Sequence, residues 1–339
     1  MKVILDTDIG SDIDDAVCLA YLLAHPDCDL VGITTVSGEA QARAQMAWSL
    51  CTIAGVRGGA DRPAATAPSR GVAAGIPIYP GVERPLLVAQ QQPHAPQASV
   101  LTAEERSRRF PECEAVPFLR QAIRENPGEI HLLSIGPMTN VGLLFALDPE
   151  IPDLLAGLTS MAGAYSAETR NAHPTEWNVR CDPHAAAMAL ARAPRNTRLI
   201  GLDVTTQVTM GAEEVRRRFT GPLLERVADF AEVWFRKGSR ITFHDPLAAA
   251  VLFNAALCGF ERGAVRVGLG DEEGVPLGAT VFEPGAAAAA AARPAAAAGP
   301  TAGHPVASAT PAADRSADLR VAATVNPEAF FEEYFSVFP

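Results

Sequence analysis

Five aspartates lie within ten residues near the start of the chain, in the segment 6–15 that reads DTDIGSDIDD. Carboxylates this close repel one another, and a bound cation that prefers oxygen ligands relieves the repulsion. Because no set of His and Cys with the spacing of a zinc site accompanies the segment, Ca²⁺ or Mg²⁺ suits it better than Zn²⁺. Gly10 permits a tight turn or a close backbone approach. The sequence therefore predicts a site for a hard divalent cation.

Three other interpretations of this acidic segment differ in what they require. Asp12 or Asp14 alone would suit the N-terminal cap of a following helix, but five acids exceed what a cap needs. An EF-hand loop counted from Asp6 would need Gly and an acid at its sixth and twelfth positions, where Ser11 and Val17 stand. A phosphatase with an aspartyl nucleophile also places Asp-x-Asp after a first strand, and it stays open as the alternative enzyme.

A second candidate group is the tripeptide His244-Asp245-Pro246. Asp followed by Pro is a favourable helix start, with Asp at the N-cap and Pro at the first helical position, and Asp182-Pro183 has the same form. We predict that Asp182 is such a cap, whereas the neighbouring histidine favours a metal ligand at Asp245. The ordinary pKa of histidine suits a proton donor near neutral pH. His244 is therefore a candidate acid, with a plain surface role as the alternative.

Apolar, β-branched runs alternate with helical patterns along the chain. Runs of the first kind predict strands at 3–5, 29–36, 130–135, 158–162, 197–202, 279–282 and 319–324. Patterns of the second kind predict helices at 14–24, 40–54, 116–125, 139–147, 183–192 and 327–335. Such alternation indicates an α/β fold with an open, mostly parallel sheet flanked by helices. Ligands of such sheets bind at the carboxyl ends of the strands, which is where the first strand would place the acidic segment.

Two stretches depart from this alternation. Residues 57–76 are rich in Gly, Pro, Ala and Arg and predict a loop. Residues 285–317 are mostly Ala, Pro and Gly, and their scattered Pro and Gly interrupt the helix that Ala favours. We therefore predict a disordered insertion at 285–317, within a single domain that spans 1–339.

The composition disfavours several classes of protein. With 28 Lys plus Arg against 39 Asp plus Glu, the net charge of −11 argues against nucleic acid or an anionic membrane as a partner. The six cysteines are scattered without a CxxC pair, as is typical of reduced thiols in a cytoplasmic protein. The sequence predicts no signal peptide, and no transmembrane helix, because no run of about 20 apolar residues occurs.

Five blocks of the sequence resemble, in the same order, the inosine–uridine-preferring nucleoside hydrolase family. They are DTDIGSDIDDA (6–16), TTVSG (34–38), SIGPMTN (134–140), MAGAY followed by EWN and DP (161–183), and HDP (244–246). The resemblance implies a Rossmann-like core and a calcium-dependent enzyme that hydrolyses the N-glycosidic bond of ribonucleosides to ribose and free base. It also implies a role in nucleoside catabolism and purine salvage, a small nucleoside as the substrate, and a homo-oligomer, either a dimer or a tetramer.

A metal site follows from the resemblance, residue by residue. Asp8 would be a ligand that also accepts a proton from the attacking water. Asp15 would bind calcium through both carboxylate oxygens, the backbone carbonyl of Ile135 would be a further ligand, and Asp245 would be the last. Asp12 is extra relative to the shortest form of the family's acidic motif, and its role stays open.

The resemblance also implies residues that hold the sugar hydroxyls. These are Asp14, Asn171, Glu176 and Asn178. His244 stands where some members place an acid for the leaving base. Many members carry Asn after the TTVSG block, where this chain has Glu39; an ionised carboxylate accepts hydrogen bonds but donates none, so Glu39 would require a hydroxyl donor on the sugar. This departure keeps open a nucleoside-binding protein without turnover. A phosphatase would need a cation for phosphate, which the SIGPMTN and MAGAY blocks lack.

Overall fold

The computed structural model describes residues 1–55, 75–270, 273–285 and 319–338. Except at their outermost residues, the predicted loop at 57–76 and the predicted insertion at 285–317 lie outside these ranges. Within the ranges, nine strands form one sheet and two short strands form a separate pair. None of the helices in this part of the chain is long and apolar enough to cross a membrane.

The strands are short, and those at the centre of the large sheet are almost fully buried. In chain order they are β1 (Lys2–Thr7), β2 (Asp29–Thr35), β3 (Ile78–Pro80), β4 (Ile130–Ser134), β5 (Gly157–Met161), β6 (Thr197–Ile200), β7 (Thr209–Gly211), β8 (Arg240–Thr242), β9 (Cys258–Val267), β10 (Thr280–Pro284) and β11 (Leu319–Val325). Burial on both faces, as in β1 and β5, is typical of parallel strands that helices cover on both sides. β7 and β8 form the separate antiparallel pair.

The order of the strands identifies where a ligand would bind. The large sheet runs β10-β9-β11-β6-β5-β4-β1-β2-β3. The strands from β11 to β3 pair in parallel, and β9 pairs antiparallel with both β11 and β10. The chain moves outward from β1 to β2 and β3, and then returns to the other side of β1 with β4. Open α/β sheets bind ligands outside the carboxyl ends of the strands at such a reversal.

Helices cover both faces of the sheet. They are α1 (Asp14–Ala24), α2 (Ala40–Ile53), α3 (Ala103–Ser107), α4 (Ala115–Glu125), α5 (Thr139–Leu147), α6 (Ile151–Leu154), α7 (Ala167–Ala172), α8 (Trp177–Cys181), α9 (Pro183–Ala191), α10 (Leu202–Thr205), α11 (Ala212–Arg218), α12 (Pro222–Trp234), α13 (His244–Phe253) and α14 (Pro327–Ser336). Helix α1 packs against α13, and α5 packs against α9. Short 3₁₀ helices cover Pro96–Val100 and Ala255–Leu257.

The apolar core has two layers, one on each face of the sheet. Successive side chains of a strand point to opposite faces, and β1 shows the result. Leu5 packs into the layer with α1 and α13, whereas Ile4 packs into the layer with α5 and part of α9. Strand β1 is therefore held from both sides, which fixes the direction in which the acidic segment leaves its end.

The prediction of an open, mostly parallel sheet flanked by helices is confirmed. The helices predicted at 14–24 and 139–147 have these bounds in the structure, and the other predicted elements match within two residues at each end.

Candidate metal and substrate site

The acidic segment folds back over the end of β1 through a turn that only glycine suits. Gly10 has a φ of 115°, and a Cβ atom there would lie 2.9 Å from the sulfur of Met46 and 3.0 Å from the Cβ of Ala95. Before the turn, the hydroxyl of Thr7 donates to Oδ1 of Asp15 at 2.5 Å. The turn therefore brings the aspartates of α1 back to the carboxyl end of the strand that precedes them.

Three carboxylates meet at this point, from Asp14, Asp15 and Asp245. Each offers an oxygen within 4.8 Å of the other two, and all three residues are buried. The N–H of Asp245, in the first turn of α13, donates to Oδ2 of Asp14 at 3.2 Å. Burial, followed by repulsion from neighbouring aspartates, which for Asp14 are Asp12 and Asp8, raises the pKa of all three carboxyls well above the usual range. A cluster of oxygen donors that is costly to ionise unaided fits a hard divalent cation.

Asp8 lies beside this cluster. Its charge contributes to the raised pKa of Asp14, Asp15 and Asp245, and burial raises its own pKa. A Cβ atom at Gly136 would lie 2.8 Å from Oδ1 of Asp8, so the glycine makes room for this carboxylate at the end of β4. The structure thus brings Asp8 together with the three clustered carboxylates.

The ends of β4 and β5 supply the next side of the site. The backbone carbonyl of Ile135 accepts a hydrogen bond from Nδ2 of Asn178 at 2.8 Å. The same amide donates to the carbonyl of Met161 at 3.1 Å, which ties α8 to both strands. Ile135 and Asn178 therefore lie at the same edge of the sheet as the carboxylates.

Glu176 is buried at the start of α8 and caps it. Its Oε1 accepts from the N–H of Asn178 at 2.7 Å, and its Oε2 accepts from those of Val179 at 3.0 Å and Gly163 at 3.2 Å. The charge of Asp8 contributes to its raised pKa, after the larger effect of burial. Glu176 thus faces the acidic site while three backbone donors hold its carboxylate.

Glu39 follows the carboxyl end of β2, which flanks β1 on the side opposite to β4. Its backbone is left-handed, with a φ of 61°, and its side chain caps no helical N–H. One carboxylate oxygen accepts from the N–H of Ala95 at 2.8 Å, and the other lies 3.0 Å from Nδ1 of His94. The first N–H of α2, on Ala40, donates instead to Glu83 at 3.0 Å. Glu39 therefore connects the end of β2 to the 94–95 segment.

The side chains of His244 and Asn171 make no hydrogen bond to the clustered carboxylates in the part of the chain that the structure describes. His244 is partly buried at the first position of α13, and its Nδ1 lies 2.7 Å from the hydroxyl of Thr205. Burial, with a contribution from the nearby His173, lowers its pKa to about 4, so the ring is neutral at pH 7. Asn171 is exposed on the short helix α7, and no hydrogen bond joins it to the described acidic residues.

Asp182 is a structural residue, as predicted. Its Oδ1 caps α9 by accepting from the N–H of Ala185 at 3.1 Å. Its Oδ2 accepts from the hydroxyl of Thr139 at 2.8 Å and from the N–H of Leu86 at 3.0 Å. The prediction of a cap is confirmed, and the same carboxylate also joins α9 to α5 and to the segment after β3.

Asp6 has a structural role next to the site, at the end of β1. Its Oδ1 accepts from Nδ2 of Asn140 at 2.7 Å and from the hydroxyl of Thr34 at 2.6 Å. Asn140 also donates to the carbonyl of Thr35 at 3.1 Å. Burial raises the pKa of Asp6 to about 7. Asp6 therefore ties β1 to β2 and α5, and it is not one of the three clustered carboxylates.

The sequence interpretation missed Arg43, which lies fully buried on α2. Its guanidinium donates to the backbone carbonyls of Asp8, Ile9 (3.1 Å), Gly38 (2.8 Å) and His94 (3.1 Å). A single arginine in a helical pattern gives no sign of this role. Arg43 holds the acidic segment, the turn before α2 and the 92–95 segment together.

Comparisons with known proteins identify the family and the fold of this chain. A family model described as inosine-uridine preferring nucleoside hydrolase matches residues 3–332. An uncharacterized protein of Schizosaccharomyces pombe is 34% identical over 70% of this chain and 71% of its own. Uridine nucleosidase 1 of Arabidopsis thaliana is 27% identical over 84% of this chain and 82% of its own. A solved plant nucleoside hydrolase has a TM-score of 0.70 at 22% identity, over 99% of this chain and 98% of its own, which shows the shared fold.

Proposed function

Because the chain belongs to the inosine-uridine preferring nucleoside hydrolase family, we propose that it hydrolyses the N-glycosidic bond of ribonucleosides to ribose and free base, with calcium as its cofactor. One observation carries the proposal. Asp14, Asp15 and Asp245 converge with Asp8 at the strand-order reversal of the sheet. The family model matches residues 3–332, from β1 into α14, and this range includes every residue of the site.

The residues suit calcium because every proposed ligand is an oxygen atom. Asp8, Asp15 and Asp245 would hold it through their carboxylates and Ile135 through its carbonyl. A bound calcium ion would supply a Lewis acid for the attacking water and the vicinal hydroxyls of the sugar. The proposed acceptor of the proton of that water is Asp8, as the resemblance implies, and its carboxylate lies beside the cluster with Oδ1 next to Gly136.

Cleavage of an N-glycosidic bond builds positive charge on the sugar, as in an oxocarbenium-like transition state. The negative charge of the clustered carboxylates favours that transition state over the neutral nucleoside. Residues proposed to bind the sugar are Asp14, Glu39, Asn171, Glu176 and Asn178. His244 is neutral at pH 7, so the proposed role is a hydrogen bond from its ring to the departing base.

A phosphatase is less well supported by the same site. It would need a cationic group that faces the phosphate, whereas the guanidinium of Arg43 is buried and its acceptors are carbonyl and hydroxyl oxygens of the protein. We propose a role in nucleoside catabolism and purine salvage, as the resemblance implies. We propose a cytoplasmic location because the six cysteines are unpaired thiols. We propose a homo-oligomer, as the resemblance implies.

The function is tested by measuring reducing sugar released from a panel of nucleosides, with inosine and uridine among them. Ribose should appear together with an equal amount of free base. Hydrolysis of p-nitrophenyl phosphate without release of ribose would support the phosphatase instead. Saturable binding of a nucleoside without any ribose would support a protein that binds but does not turn over.

Replacing Glu39 with glutamine should reduce the preference for ribonucleosides over 2′-deoxyribonucleosides. If the carboxylate accepts a sugar hydroxyl, the wild type should favour uridine over deoxyuridine by about 10-fold or more in kcat/KM, because a hydrogen bond to a charged group contributes about 1.5–3 kcal/mol. Glu83→Gln is the matched control, since Glu83 accepts from the start of α2 on the same side of the site. An unchanged ratio in Glu39→Gln would mean that Glu39 serves only to hold the 94–95 segment.

A further inference from the structure

Three side chains form a hydrogen-bonded row that ends on Asp8. The indole N–H of Trp177 donates to Oε1 of Gln92. The Nε2 of Gln92 donates to Oδ2 of Asp8 at 2.5 Å. Trp177 begins α8, and Gln92 lies in the segment between β3 and the Pro96–Val100 turn, so two distant parts of the chain converge on the carboxylate.

The chemistry of the row fixes the orientation of the amide. An indole N–H only donates, and an ionised carboxylate only accepts. The oxygen of Gln92 must therefore face Trp177, and its NH₂ group must face Asp8. Turning the amide over would break both hydrogen bonds and place an oxygen against the carboxylate.

The two side chains that donate in the row, Trp177 and Gln92, are held in place by other contacts. Gln92 is buried, and its backbone carbonyl accepts from the N–H of Gly38 at 3.2 Å. The guanidinium carbon of Arg180 lies 4.3 Å from the centre of the Trp177 ring. Although Trp177 is 43% exposed, its polar N–H points inward to Gln92. The exposed indole ring is therefore anchored through its N–H by Gln92 and across its face by Arg180.

We propose that Gln92 is a positioning residue for Asp8 and that Trp177 fixes the orientation of Gln92. The row occupies Oδ2 of Asp8 and leaves Oδ1, which lies beside Gly136, as the oxygen that serves the metal and the attacking water. This proposal rests on the proposed hydrolase function, in which Asp8 accepts the proton of water.

The first test replaces Gln92 with glutamate, which has the same shape but no NH₂ group. The expected fall in kcat is about 100-fold, with KM changed less than about threefold, because a group that orients the base acts on the chemical step. Calcium affinity, measured by isothermal titration on the chelated protein, should be kept or strengthened, since the variant adds a negative charge near the site. Gln91→Glu adds the same charge on the adjacent exposed residue and should retain wild-type kcat.

A double-mutant cycle tests whether Trp177 acts through Gln92. Trp177→Phe should lower kcat by about tenfold, and Gln92→Leu by about 10- to 100-fold. The double variant should be no slower than Gln92→Leu, because coupled residues are not additive. Trp234→Phe is the matched control, since that indole N–H donates to the carbonyl of Arg240, and it should keep wild-type kcat.

The outcomes separate this proposal from the proposed function. A wild type that releases no ribose from any nucleoside overturns the function and the row's role with it. With an active wild type, Gln92→Glu that keeps kcat within twofold overturns the row alone. A parallel loss of kcat, calcium affinity and melting temperature in Gln92→Glu would indicate general damage and would also overturn the positioning role of Gln92. Independent effects of Trp177→Phe and Gln92→Leu would overturn the proposal that Trp177 acts through Gln92.

Discussion

Asp8→Asn is expected to lower kcat by about three orders of magnitude or more, because one change removes a ligand charge and the group that accepts the proton of water. The fold should persist, since the apolar residues of β1 remain packed on both faces of the sheet. The measurement is steady-state hydrolysis of the best nucleoside from the panel, together with thermal unfolding of the variant.

Asp229→Asn provides the control for this substitution. It removes the same charge from an exposed position on α12, and it should leave kcat unchanged. If Asp8→Asn retained a tenth of wild-type turnover, Asp8 would not be the group that accepts the proton.

Removing calcium should abolish turnover and lower the melting temperature. Without the cation, Asp14, Asp15 and Asp245 face one another in a buried site where their raised pKa values reflect the cost of ionisation. A ligand present at 100 times its dissociation constant stabilises the folded state by about 2.7 kcal/mol, and chelation should remove a contribution of this kind. Activity and stability should both return when calcium is added back.

Metal analysis of protein purified without chelator completes the measurement. About one calcium per chain is expected, because carboxylate oxygens of Asp14, Asp15 and Asp245 lie within 4.8 Å of one another. Stoichiometric zinc would contradict calcium as the cofactor. Full activity in EDTA, in a protein that retains no divalent ion, would contradict a metal role altogether.

The parts of the fold that the sequence predicts are those with strong local signals. Asp14 and Asp15 form the first turn of α1, and Asp182 caps α9 with Pro183 as its first residue; both helices begin where predicted. No element is predicted from the sequence between 203 and 278, where the structure has α10 to β9. Strand β9 carries Gly259, Gly263 and adjacent charged residues, and lies towards one edge of the sheet, so it shows neither an apolar run nor a clean alternation.

Some residues of the site can likewise be predicted from the sequence, and others cannot. The aspartates of segment 6–15 can be recognised in the sequence because they are dense in one segment. Asp245 meets them from a remote part of the chain because α13 packs against α1. Gln92 and Arg43 have no comparable signal in the sequence, because a single glutamine in a loop and a single arginine on a helix are usually solvated. Only the tertiary fold places their donors against Asp8.

The buried guanidinium of Arg43 affects the order of events when the enzyme matures. Its hydrogen bonds join carbonyls of Ile9, Gly38 and His94, so the segments around the site are already joined within the polypeptide itself. These hydrogen bonds within a newly made chain need no metal ion. If calcium is the cofactor, as proposed, its binding would be a late and reversible step, and the amount of working enzyme would follow the free calcium of its surroundings and not only the rate of synthesis.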